Sequence, residues 1–135
     1  MSGDIKKILF KEGIPGFEDL KEFIILEDEG REFYYLQSVE QPVICFAIVD
    51  PFLLKPDYAP DINKSYFERL GVEEGDTVAT FVIATMRENM EESTVNLQAP
   101  LIICIEKRIG IQAILEDKTY HARHKVLELI KERGR

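Results

Sequence analysis

Apolar residues in this chain recur in short β-type runs rather than along extended helical faces. Ile8–Phe10 leads into the turn Gly13-Ile14-Pro15-Gly16. Phe23–Leu26 reads as a strand ending in the acidic turn Glu27-Asp28-Glu29-Gly30, and Phe33–Leu36 reads as its hairpin return. Val43–Val49 is rich in β-branched and aromatic residues and stops at Asp50-Pro51, where proline cannot donate to a ladder. Thr77–Met86 follows the turn Glu73-Glu74-Gly75-Asp76. Thr94–Leu97, Leu101–Glu106 and Ile111–Leu115 complete the set, with Gly110 as the last hairpin turn. Many short strands with close turns predict a mainly β fold, a small antiparallel β-barrel-like single domain. Val43–Val49 and Thr77–Met86 are apolar on both faces, which predicts central strands covered on both sides.

Two helices are expected beside the strands: one short internal helix and a C-terminal helix. Over Asp61–Leu70, the positions Ile62, Tyr66, Phe67 and Leu70 line one face. Asp61 suits its start and Gly71 the left-handed position past its end. From about Ala122 to Glu132, Val126, Leu127 and Ile130 lie together, and Lys and Arg fill the last turns.

Charge narrows the class of partner. The 135 residues hold 17 Lys+Arg against 25 Asp+Glu, a net charge of −8. Direct nucleic-acid binding needs clustered cations to displace counterions, so it is disfavoured. An anionic membrane surface is disfavoured for the same reason. A basic protein partner fits. No apolar stretch approaches the roughly 20 residues of a membrane-spanning helix. The opening Met-Ser-Gly-Asp-Ile-Lys-Lys has no apolar segment behind it, so a cytoplasmic protein is expected.

Candidate chemistry is sparse. Cys45 and Cys104 sit inside apolar runs and read as buried small hydrophobes. His121 and His124, three apart, would share one side of a helix but lack a third metal ligand nearby. Asp50, Asp57 and Asp61 lie in or beside the Pro-rich loop Asp50–Pro60 and fit no calcium-loop pattern. No phosphate-binding, dinucleotide-binding or nucleophile-elbow motif is present. We therefore expect no catalytic residue, no cofactor and no metal. The competing reading is a small-ligand-binding or enzymatic β-barrel using Asp50, Asp57 and His121/His124; it requires a cavity that gathers those groups. An oligonucleotide-binding barrel would need a basic, aromatic-studded face, which the charge opposes.

Several segments together resemble the flagellar assembly factor FliW family. They are Phe10-Lys11-Glu12-Gly13-Ile14-Pro15-Gly16-Phe17-Glu18, Tyr35-Leu36-Gln37-Ser38 with Phe46 and Asp50-Pro51, and Pro56-Asp57-Tyr58. Thr94-Val95-Asn96-Leu97-Gln98-Ala99-Pro100, Arg108-Ile109-Gly110-Ile111-Gln112 and Tyr120 with Arg123-His124 follow in order. The resemblance covers about residues 8–124. It suggests a barrel domain over 1–124 and a C-terminal helical tail over 125–135, where the pattern departs.

The resemblance implies a non-enzymatic protein that binds the translational regulator CsrA, a small basic RNA-binding dimer. It implies relief of CsrA's repression of flagellin mRNA by a non-competitive route, and binding of flagellin itself, with the two partners exchanged. On this view the protein controls an RNA without touching it. Gly13, Pro15, Gly16 and Gly110 read as turn formers. Partner binding is expected from Phe52, Asp57 and Tyr58 on one loop and from Met90, Glu91 and Glu92 on an acidic prong. Asn96 and Gln98 are polar residues among apolar ones that could line the same surface, as could Gln112; all three could equally satisfy local backbone groups.

Overall fold

The computed structural model describes residues 7–28 and 33–134. The tip of the acidic turn, Glu29-Gly30, lies outside the described residues. Strands are β1 (Lys7–Leu9), β2 (Glu22–Glu27), β3 (Phe33–Ser38), β4 (Cys45–Val49), β5 (Val78–Thr85), β6 (Thr94–Val95), β7 (Leu101–Cys104), β8 (Ile109–Gln112) and β9 (His124–Lys125). Helices are α1 (Pro51–Leu54), α2 (Lys64–Leu70) and α3 (Val126–Arg133), with a 3-10 turn at Met90–Glu92.

The strands bond in the order β4-β3-β2-β1-β8-β7-β5-β6-β9, and a β4–β5 pairing closes seven of them into a barrel. The expected antiparallel pattern holds at every join of the ring but one. β1 and β8 run parallel, with Leu9 opposite Ile109. A closed ring with an odd number of strands cannot alternate direction all the way round, so one parallel join is required.

Side chains alternate across each strand. The inward set is Phe23, Leu36, Ile48, Leu101 and Ile103, joined by Phe10 from the end of β1. Phe10 meets Phe23 edge-on, with ring centroids 5.4 Å apart. The barrel is thus filled by side chains. The outward set is also apolar and needs cover. α2 and its flanks bring Tyr66, Phe67 and Leu70 onto Ile102, Ile111 and Ala113. α1 and α3 bring Leu54, Val126 and Leu129 onto Val49, Val82, Val95 and Leu97. β7, sandwiched between the two sets, is buried at all four positions.

Several boundaries differ from expectation, each for a local reason. Val43 is 87% exposed because pairing of β4 begins only at Cys45. Cys45 is consequently exposed, not buried, whereas Cys104 is buried as expected. β5 lies between β4 and β7, so the two thiols are not neighbours. α2 starts at Lys64 rather than Asp61, because Asn63 Oδ1 takes the Ser65 N–H at 2.9 Å. Ile62 meanwhile packs from the extended segment before it. Gly71 ends α2 at φ 70°, as the sequence indicates.

Asp50-Pro51 does more than stop a strand. Asp50 Oδ1 accepts from Phe52 N at 2.9 Å and Pro51 opens the unexpected helix α1. α3 begins at Val126 rather than Ala122, because His124 and Lys125 pair with Val95 and Thr94 as β9. Its buried residues are Val126 and Leu129, while Ile130 is exposed.

Gly110 is not a turn residue. The turn before β8 places Arg108 at φ 54°, and Gly110 lies within the strand, facing inward. A Cβ there would meet Phe10 Cζ at 2.6 Å. Gly110→Ala should therefore overpack the barrel and cost about 1–3 kcal/mol. Urea unfolding checks this, and Phe10→Leu in the same chain should recover part of the loss.

Candidate protein-interaction surface

α3 is the centre of one face of the molecule. It packs against α1 on one side and the 3-10 turn on the other. Its first N–H, from Val126, donates to the Ser93 carbonyl at 3.0 Å. Near its end the Arg133 guanidinium donates to the Leu53 carbonyl of α1. The two loops singled out from the sequence, 52–58 and 90–92, thereby flank one helix.

Two tyrosines hold this face to the barrel. Tyr58 Oη donates to the Leu97 carbonyl at 2.7 Å. Tyr120 Oη accepts from Ala59 N at 3.0 Å. Their rings meet edge-on, 4.8 Å between centroids. Burial, with Tyr120 adding, drives the Tyr58 phenol well above the usual tyrosine range, so it stays a protonated donor.

The side chains left at the surface mix apolar and acidic groups. Phe52, Met90 and Ile130 are 43%, 38% and 37% exposed, and Leu53 is exposed beside Phe52. Asp57, Glu91, Glu92, Glu128 and Glu132 are exposed around them. Lys55 Nζ lies 3.2 Å from Asp57 Oδ1 and neutralises part of that charge. A cleft of about 240 Å³ runs between α1 and α3, with Leu54, Pro56 and Leu129 in its wall and Asp57, Glu132 and Arg133 at its edge.

The sequence-derived residues divide accordingly. Phe52, Asp57, Met90, Glu91 and Glu92 are exposed on this face. Tyr58 points inward, 4% exposed, and supports the loop from beneath. Asn96 is half-buried, with Oδ1 accepting from Gln98 N at 3.1 Å and Ala99 N at 3.2 Å. Gln98 is half-buried and its carbonyl accepts from Leu115 N at 2.8 Å. Gln112 Nε2 donates to the Ala99 carbonyl at 3.0 Å inside the fold. Glu128, Ile130 and Glu132 were not expected here. The sequence spacing grouped Ile130 with Val126, but the structure buries Val126 and Leu129 and leaves Ile130 exposed.

The groups of the competing ligand-site reading do not gather in one cavity. Asp50 is spent on capping α1, Asp57 sits against Lys55, and Asp61 borders a different cleft with Glu116 and Asp117. His121 and His124 stack on each other outside any helix. Asp76, Cys104 and Glu106 do bring three potential ligand atoms together. Of these, Asp76 is already paired with a cation: Lys107 Nζ lies 3.0 Å from Asp76 Oδ2 and 3.3 Å from Glu73 Oε1. The Glu73 N–H, followed by Lys107, holds the Asp76 carboxyl below the usual carboxylate range.

Comparison with known proteins identifies the fold's relatives. The family model described as FliW protein matches residues 2–126. The chain belongs to the FliW family. It is 43% identical over 121 residues to the flagellar assembly factor FliW of Caldicellulosiruptor bescii, covering 90% of this chain and 80% of that protein. It is 37% identical over 119 residues to FliW of Geobacillus thermodenitrificans, covering 88% and 83%. A crystal structure of the flagellar assembly factor FliW matches with a TM-score of 0.84 at 36% identity, covering 90% of this chain and 85% of that one. The FliW model match ends at residue 126, where α3 begins.

Tyr58→Phe removes the donor to Leu97 and leaves a buried carbonyl unpaired. We expect a loss of about 1–2 kcal/mol. The denaturant midpoint should fall with its slope unchanged.

Proposed function

We propose that this FliW-family protein is a cytoplasmic protein–protein antagonist. It binds CsrA and relieves repression of flagellin mRNA, and it binds flagellin in exchange. The observation that supports this reading most directly is the α1–α3 face. Exposed Phe52, Leu53, Met90 and Ile130 lie among five carboxylates on a chain of net charge −8. Apolar anchors supply contact energy, and aromatic residues dominate such anchors. Surrounding carboxylates steer a basic partner to the site and repel RNA. The helix α3 belongs to this face as much as the two loops do.

The reading calls for calorimetric titration against purified CsrA at low and raised salt. Binding at low salt that weakens as salt rises is expected, because the steering charges are exposed. The absence of binding at low salt would refute the assignment.

Two changes test the face itself. Glu91→Lys with Glu92→Lys should lower the association rate by about tenfold or more at low salt, with a smaller change in the dissociation rate. Phe52→Ala should weaken affinity by about tenfold through faster dissociation. Stopped-flow kinetics separates the two, and unchanged rates in both variants would move the interface elsewhere.

A further inference from the structure

We propose that the His121–His124 pair is a proton-sensitive latch that holds β9 and α3 on the barrel and releases α3 in acid. The two rings are stacked, with centroids 3.7 Å apart and planes inclined by 14°. Each ring accepts a hydrogen bond from the backbone of its own turn. His124 Nε2 accepts from His121 N at 2.9 Å, and His121 Nδ1 accepts from Arg123 N at 3.4 Å. An imidazole nitrogen accepts only when it carries no proton. Protonating either ring turns its acceptor into a donor facing another donor. Protonating both sets two like charges face to face.

The surroundings oppose the proton. His124 is half-buried, and burial pushes its pKa below the ordinary histidine range. His121 and Lys55 push the same way, and Glu132 and Glu128 of α3 pull against them without prevailing. Tyr120 offers a ring at 6.3 Å, and the β6 neighbour is Val95, which carries no charge. The charged groups facing His124 are therefore Lys55 from the end of α1, the two glutamates of α3, and His121 and Lys125 from its own segment.

The position makes this consequential. His124 and Lys125 are β9, whose two pairs with β6 immediately precede α3. α3 is a short helix held to the barrel by two buried side chains, Val126 and Leu129. Local opening of such an element costs much less than global unfolding.

The sign follows from linkage. The folded form binds the His124 proton less readily than the open form does. The latch is at full strength above the ordinary histidine value, about 6.5. It weakens as pH falls from there toward the lower folded-state value. Any effect on partner binding rests on the function proposed above; the latch itself does not.

Amide hydrogen exchange at Leu129–Lys131, the first amides bonded within the helix, corrected for intrinsic rates, reads the opening directly at about pH 7.5 and about pH 5.5, on either side of the free histidine value. Protection in the wild-type chain should fall severalfold in acid, while protection in the inward strands β2 and β7 holds. His124→Gln keeps a side-chain oxygen acceptor but does not titrate, so its protection should not change with pH. Ring titration by NMR is the second arm: His124 should titrate below the ordinary value, and His121→Asn should raise its midpoint. Wild-type protection that is the same at both pH values overturns the proposal. So does an equal acid loss in His124→Gln, or a His124 midpoint at or above the ordinary value. Should His124→Gln not fold, the wild-type exchange and the His121→Asn titration still decide. CsrA binding measured separately at neutral pH keeps failure of the latch distinct from failure of the proposed function.

Discussion

A ring of seven strands must contain one join that does not alternate, and the rest of the structure is arranged around that join. β1 and β8 meet in parallel there. Phe10 leaves β1 and turns its ring into the barrel, where it fills space beside Phe23. The strand opposite must yield room, and Gly110 does so by having no side chain. One aromatic ring and one glycine thus reconcile ring closure with a filled interior. Side chains fill the interior of this small barrel.

The outside is itself divided by packing. Outward residues of β4 to β8 such as Val49, Val82, Val95, Ile102 and Ile111 are apolar, and two sets of helices cover them. The α2 side is finished by Gly71 and by the Arg69–Glu12 pair, whose guanidinium nitrogens lie 2.8 and 2.9 Å from the carboxylate oxygens. The α1–α3 side is finished less completely. Leu54, Val126 and Leu129 close over the barrel, but Phe52, Leu53 and Ile130 point away. Each helix is too short to hide more than one stripe. The same shortness that makes α1 and α3 adequate covers leaves their remaining apolar side chains available to a partner.

The strand pattern made the barrel legible, because period-two alternation and close turns survive in the sequence whatever the topology. The parallel join was not legible, since direction depends on how many strands close the ring. Helix starts were misplaced where a side chain competed for them. Asn63 outbid Asp61 by reaching the Ser65 N–H, and β9 took His124 and Lys125 out of α3. Gly110 shows the limit most clearly. A glycine before an apolar run looks like a turn, and only the Phe10 ring across the barrel explains its place in a strand. Of the candidate site, the exposed prong and loop were readable as loops bearing charge and an aromatic residue. Their meeting on α3 was not, because that juxtaposition is made by long-range contacts through Tyr58, Tyr120 and Leu97.

The proposed binding surface and the proposed latch meet on one element, α3. α3 is anchored by two buried side chains, the two-residue strand β9 and a few hydrogen bonds. Val126 and Leu129 of that helix share one core cluster with Val49, Val82, Val95 and Leu97 of the barrel. Groups that set its docking therefore act on the partner surface even when they do not touch the partner. Tyr58 and Tyr120 act through geometry, the one donating to the Leu97 carbonyl and the other accepting from Ala59 N. His121 and His124 differ, because their bonding depends on a proton. A surface carried by α3 inherits the chemistry of whatever holds α3 in place.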